Sequence, residues 1–171
     1  MRLLAVIGAL AVVFGIGVAT FFFGGYYNVA AGEEDPAAVT WALTKVRVAS
    51  IDRRANDKPP AGFGDAAMVQ SGAKAYAAYG CANCHGAPGV MWLKYSEGLQ
   101  PHPPDPKKID LSPAQLFWVI KHGINMTGMP SFELAGAKDD EIWSIAAFVK
   151  KMPDVSEADY KSWTEGIELK K

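Results

Sequence analysis

The sequence predicts an all-α chain in which one apolar membrane helix precedes a small helical domain with long loops. Three observations support that prediction. Residues 3–23, Leu3 to Phe23, are a run of apolar residues, glycine and one threonine, with no charge among them. Downstream, apolar positions recur at helical spacing between cap signals, and no alternating strand pattern flanks the cysteines. Both cysteines stand in a single pentapeptide, Cys81-Ala82-Asn83-Cys84-His85. The 171 residues leave room for one modest domain plus extras. A net charge of −1 argues against nucleic-acid binding, which favours a strongly basic surface.

Taking the elements in order, a helix over 3–23 rises roughly 30 Å, enough to cross the hydrocarbon core of a bilayer. The competing reading is a cleavable signal peptide, with Val29-Ala30-Ala31 as the small-residue site. The apolar run exceeds the usual h-region, which favours a retained anchor. Tyr26 and Tyr27 suit an interfacial belt. Arg2 lies on the short side, and Glu33, Glu34 and Asp35 open the long side, so the N-terminus is expected inside and the domain outside. Residues 1–31 are therefore read as anchor and interfacial segment.

Residues 32–64 are read as a membrane-proximal helix and a linker. The helix spans 35–55, with Asp35 as N-cap, Pro36 as first helical residue and Val39, Leu43 and Val46 as an apolar stripe. Trp41, Val48 and Ile51 fall off that stripe. Basic residues from Lys45 to Lys58 leave this stretch at +3. It reads either as a stalk helix with a solvated basic face or as a docking surface for a membrane subunit or anionic headgroups. Asn56 to Gly64, with Pro59 and Pro60, is the linker.

The folded domain, 65–171, opens with a helix from Asp65 to Tyr79 that delivers the chain to Cys81. Residues 86–110 are proline-dense and aperiodic, hence loop. Ser112-Pro113 opens a helix whose apolar face is Leu116, Val119 and Ile120 and which Gly123 stops. Ile124 to Lys138 is loop. Asp139-Asp140-Glu141 begins the last strong helix, which runs through Ile142 to Lys151 with acids first and lysines last, as the helix dipole favours. Pro153 ends it, and Ser156 and Asp159 resemble a capping box for a short tail helix.

The pentapeptide has the spacing of a c-type haem attachment site. Each thiol can form a thioether to one vinyl group, and the adjacent histidine is placed to bind iron from one face. A zinc site would need about four ligands, and no second cysteine pair or His-x₃-His completes one. A thioredoxin-like pair would sit in a βαβ pattern, and a plain disulfide leaves His85 unexplained. With His85 on one face, the candidates for the other are Met91, His102, His122, Met126, Met129 and Met152. Met91 is only six residues past His85. His122 ends a helix, and His102 stands among prolines. Met129 precedes Pro130, which biases it to extended backbone in a rigid loop and favours it over Met126.

From Asp65 to Met152 the chain resembles a class I c-type cytochrome, the monohaem all-α family. The matching pieces are Gly72-Ala-Lys-Ala-Tyr76, Cys81 to His85, Pro103-Pro104-Asp105, Thr127-Gly128-Met129-Pro130 and Ile145-Ala-Ala-Phe148-Val-Lys. Gly86-Ala-Pro-Gly89, Leu116 to Gly123 and Met126 to Pro130 also resemble membrane-anchored bacterial members. The resemblance implies a cytochrome c fold around one covalently bound haem c, with Cys81 and Cys84 as thioether residues and His85 and Met129 as axial ligands. It implies that Gly72, Tyr76 and Phe148 meet where the first and last helices cross. It also implies that a carbonyl of the 101–104 region accepts the histidine's other N–H. Ser131-Phe132 and His102 depart from the pattern without touching the ligand set.

These residues imply an electron carrier rather than an enzyme. The expected partners are the membrane and redox proteins, such as a quinol-oxidising complex or a terminal oxidase, with no nucleic acid and no small organic substrate. The expected location is the bacterial inner membrane, single-pass, with the haem domain on the periplasmic side. The rival readings are a permanent subunit of a larger oxidase or quinol-oxidising complex, an open-iron haem enzyme or sensor, and a haem-free interaction module.

Overall fold

The computed structural model describes residues 1–170. The chain divides into two compact units, Met1–Pro36 and Ala37–Lys171. The first holds α1 (Arg2–Phe23), whose best window has a mean hydropathy of 2.5 and none of whose residues is buried. It is long and apolar enough to cross a membrane. The N–H of Gly24 donates to Thr20 O where the helix ends. Tyr27 packs back on Phe21 and Phe22, at 6.0 and 5.1 Å between ring centroids, and its hydroxyl donates to Asp35.

The second unit is helical, with α2 (Ala37–Arg54), α3 (Ala66–Ala78), α4 (Cys81–His85), α5 (Pro113–His122), α6 (Asp139–Lys151) and α7 (Glu157–Thr164). Among the described residues there is no β-strand, and three 3₁₀ turns sit at Lys94–Gly98, Pro106–Lys108 and Met152–Asp154. The first two fall in the loop expected over 86–110. They are single turns set by local i+3 bonds, which leave no period in the sequence.

The core lies where α3 crosses α6. A Cβ placed on Gly72 would lie 1.9 Å from Ser144 O and 2.8 Å from Phe148 Cβ, so the two backbones touch only because residue 72 is glycine. Tyr76 meets Phe148 edge-on at 5.2 Å, and Tyr160 of α7 stacks on Phe148 at 5.6 Å. The expected crossing of Gly72, Tyr76 and Phe148 is therefore present. The helix α5 joins through Phe117, stacked on Trp143 at 4.1 Å, and buries Leu116, Val119 and Ile120 as its spacing predicts. Its N-terminus is a full capping box: Ser112 Oγ accepts from Gln115 N–H, and Gln115 Oε1 accepts from Ser112 N–H. For α7, Ser156 Oγ accepts from Asp159 N–H at 3.0 Å.

The first segment of this unit differs in detail from its sequence reading. Helix α2 begins at Ala37, one residue past the expected Pro36, and the Asp35 carboxylate accepts from the Tyr27 hydroxyl. The Val39–Leu43–Val46 stripe is not its buried face. Ile51 is the residue α2 buries, and Asp52 accepts from Gln115 Nε2 on α5 at 2.6 Å. A contact made by one end of a helix to a distant element leaves no repeat along that helix, so the stripe does not show which side is packed.

Candidate haem-binding site

The pentapeptide forms a helix of its own, α4, entered through Gly80 at φ 71° and left through Gly86 at φ 69°. These left-handed positions let the chain turn sharply on both sides of five residues, which suits glycine. The buried Tyr76 hydroxyl donates to Gly86 O at 2.8 Å, tying the far end of α4 to the core helix α3. Leu93 N–H donates to Asn83 O at 2.7 Å, and Ala87 and Val90 exchange a pair of 2.9 Å bonds that close the turn after His85.

Within α4, Cys81 is buried, Cys84 is half-buried and both thiols are free. Burial pushes the Cys81 thiol up to about 12. A dry wall of this kind opposes thiolate chemistry and suits a neutral thioether sulfur. The hydroxyl of Tyr95 lies 3.7 Å from Cys84 Sγ. The half-buried His85 ring has its Nδ1 2.9 Å from Pro104 O. With Nδ1–H donating there, Nε2 is the nitrogen left to bind metal, and the ring plane is fixed by the carbonyl. The expected carbonyl of the 101–104 region is thus Pro104. This donor set fits haem c: two thiols i, i+3 on one short helix and an imidazole whose second nitrogen is already engaged.

The methionine loop is held by the Thr127 hydroxyl and by main-chain contacts. Thr127 Oγ1 donates to Ile124 O at 2.7 Å and accepts from Met129 N–H at 3.1 Å. Ile124 N–H donates to Met129 O at 3.1 Å. At Gly123, φ is +69°, and a Cβ there would lie 2.7 Å from Met129 O and 2.6 Å from the carbonyl carbon of Pro130. Leu99 covers Gly128, with its Cδ1 2.8 Å from where a Cβ would stand. Met129 is half-buried and packs against the core cluster, whereas Met126 is 80 % exposed at φ 60°. The remaining candidates scatter. Met152 is buried in the core, and Met91 is exposed. His102 stacks edge-on with Trp92, and His122 packs beside Trp118 with its Nδ1 3.7 Å from Glu133 Oε2.

A family model described as "Cytochrome C oxidase, cbb3-type, subunit III" matches residues 67–149, from the start of α3 to the end of α6. This stretch is a monohaem class I c-type cytochrome domain. Neither a curated protein nor a solved structure matches the chain. The match covers the pentapeptide, the proline loop and the methionine loop together. The cytochrome domain therefore implies one covalently bound haem c, an all-α fold and haem-based electron transfer.

Sequence reasoning found the ligand candidates and the loop whose carbonyl orients His85, but missed what holds α4 and the methionine loop. Tyr76 was read as a packing aromatic, although its hydroxyl fixes the end of α4. Gly123 was read as a helix stop, although it also seats the methionine loop. Thr127 lay in a quoted motif, and only its two hydrogen bonds reveal its part in the loop.

Proposed function

We propose that Cys81 and Cys84 form the two thioethers, that His85 and Met129 are the axial ligands, and that the chain moves one electron at a time between membrane redox complexes. The observation behind this reading is the oriented His85 ring, with Nδ1 committed to Pro104 O on the helix that bears both cysteines. When bound, haem c supplies a one-electron iron couple. The chain's own part is to hold that couple still. His85 keeps its orientation through Pro104, and Cys81 and Cys84 anchor from a helix pinned by Tyr76. Met129 is offered from a loop locked at Gly123 and Thr127. A methionine sulfur opposite an imidazole raises the reduction potential, and two filled positions leave no vacancy for oxygen or peroxide.

In this reading residues 1–31 anchor the chain in a bacterial inner membrane, 32–64 form the membrane-proximal helix and linker, and 65–171 present the haem on the periplasmic side. Anchoring keeps the domain near its partners and raises their effective concentration. A quinol-oxidising complex on one side and a terminal oxidase on the other are the partners this role calls for.

The family description favours a second reading, a fixed subunit of an oxidase complex. Detergent purification of the native chain separates the two, because only a fixed subunit co-migrates stoichiometrically with a partner. The ligand assignment is tested by optical and EPR spectra. Met129→Ala is expected to give a high-spin or misligated centre with a lowered potential, and Met126→Ala to leave the spectrum nearly unchanged. The reverse pattern moves the ligand to Met126. A high-spin, five-coordinate ferric centre in the unmutated protein defeats the carrier reading.

A further inference from the structure

Helix α2 takes no part in holding the proposed haem ligands. It has 18 residues, buries Ile51 and is bonded to α5 near its C-terminal end, where Asp52 accepts from Gln115 Nε2. At 3.6 residues per turn, Ile51 lies about a third of a turn to one side of the line through Val39, Leu43 and Val46, and Asp52 about two-fifths of a turn to the other. That line therefore faces away from α5. It is apolar and open along most of its length: Val39 is half-buried, and Leu43 is 46 % and Val46 67 % exposed. Arg47, Arg53 and Arg54 border it on the helical wheel. Asp52, the sole carboxylate of α2, lies on the opposite, docked side. The ion pairs of the described residues use other cations, namely Lys108, Lys121, His122 and Lys170.

An apolar line edged by arginines has the chemistry of a helix lying in a lipid interface. Its side chains enter the acyl boundary while guanidinium groups meet phosphates. Chain length limits where α2 can go. Residues 24–36 separate it from α1, a tether of about 45 Å at full stretch, so α2 stays within reach of any bilayer that α1 crosses. We propose that the Val39–Leu43–Val46 face of α2 rests on an anionic lipid surface, with Arg47, Arg53 and Arg54 on the headgroups. The inference rests on the anchor reading of α1. Because α2 is docked to α5 at one end, such contact would also hold the cytochrome domain at a fixed attitude to the membrane.

The test uses the full-length, haem-loaded chain alone in lipid nanodiscs. With both native thiols taken up by haem, a single introduced cysteine is the only site for a nitroxide label. Leu43→Cys, Val46→Cys, Trp41→Cys and Val48→Cys are each labelled and exposed to a water-soluble relaxation agent. In discs containing phosphatidylglycerol, labels at 43 and 46 should be shielded on the order of five-fold relative to those at 41 and 48. The shielding should fall away in pure phosphatidylcholine or in an Arg47→Gln/Arg53→Gln/Arg54→Gln background. Labels at 43 and 46 that stay open in anionic discs overturn the proposal, as does equal shielding at all four positions. Shielding that arises only after a membrane extract is added assigns the face to a protein and overturns it too. Co-flotation of the same chain with vesicles separates this from the anchor reading. A chain that floats with 43 and 46 open defeats only the lipid contact, and a chain that does not float defeats both.

Discussion

Gly72→Ala is the sharpest probe of how this fold is held. The substitution adds one methyl group at the α3–α6 crossing. Its Cβ would sit 1.9 Å from Ser144 O, well over 1 Å inside van der Waals contact, and 2.8 Å from Phe148 Cβ. The nearest atom is a helix carbonyl, which cannot swing aside as a side chain does, so α6 must move as a body. Overpacking a close contact costs about 1–3 kcal/mol, and a main-chain clash belongs at the top of that range. Alanine regains about 1 kcal/mol over glycine in a helix interior, leaving a net loss of about 2 kcal/mol. For a domain of about 100 residues that lowers Tm by roughly 10 °C. Guanidinium unfolding of the haem-loaded protein, followed by far-UV circular dichroism, measures the loss. Gly98→Ala serves as the control, because no atom lies within 4 Å of its Cβ position. A Gly72→Ala loss no larger than the Gly98→Ala loss would refute the claim that backbone contact at this crossing organises the core.

Gly123→Ala should strain a φ of +69° and push on Met129 O and Pro130. Its expected signature is a lowered reduction potential and partial loss of the low-spin spectrum, measured by redox titration and EPR. Ser112→Ala removes the acceptor for Gln115 N–H and should cost about 1 kcal/mol in urea unfolding. The Lys170 ammonium holds the Glu141 carboxyl below its usual range, and Glu141 in turn raises Lys170. The depressed acid contributes stability that is present above its unfolded value near 4.5 and is lost as pH falls through the lower folded value. The raised amine contributes stability that is present below about 10.5 and is lost as pH rises through the folded value. Both groups are partly exposed, so the pair is worth at most about 1 kcal/mol. Urea unfolding at low salt should show Glu141→Gln less stable than the parent at pH 7 and equal to it near pH 2.

The parts of this molecule that were legible in the sequence are those whose cause is local. The apolar run of α1, the Ser112 capping box of α5 and the acid-to-lysine gradient of α6 act within one or two turns, and each became the expected helix. The pentapeptide was legible as chemistry but not as a helix, because five residues between two left-handed glycines carry no period. The packed side of α2 was not legible, because Asp52 answers to Gln115 on α5, more than sixty residues away in sequence. The C-terminal tail was opaque for the same reason. Lys170 N–H donates to Ala78 O, and its ammonium reaches Tyr79 and Glu141, contacts that no pattern within 156–171 announces. At the site, the residue types were readable and the His85 carbonyl partner was placed only to within 101–104, while the seating of the methionine loop at Gly123 was not, since both act through backbone atoms.

Of the two proposed axial ligands, His85 ends α4 and Met129 stands in a loop, but each takes its setting from a loop, and the manner of holding decides whether a loop can serve an electron carrier. A helix fixes a side chain by its repeating bonds, while a loop must fix it by particular ones. On the histidine side the particular bond is His85 Nδ1 to Pro104 O, and the loop that supplies it is stiffened by Pro101, Pro103, Pro104 and Pro106. On the methionine side the loop is pinned at both flanks. Gly123 lies against Met129 and Pro130, and Phe132 N–H donates to Ile120 O at 3.2 Å, returning the chain to α5. On both sides the holding bonds and close contacts end on main-chain atoms. In the proposed role, ligands positioned in this way would move little between oxidation states, and small movement is what would let an electron pass quickly in either direction. The same reasoning separates Met129 from Met126. Three residues apart, only Met129 is packed against the core, and an 80 % exposed thioether has nothing to keep it in place.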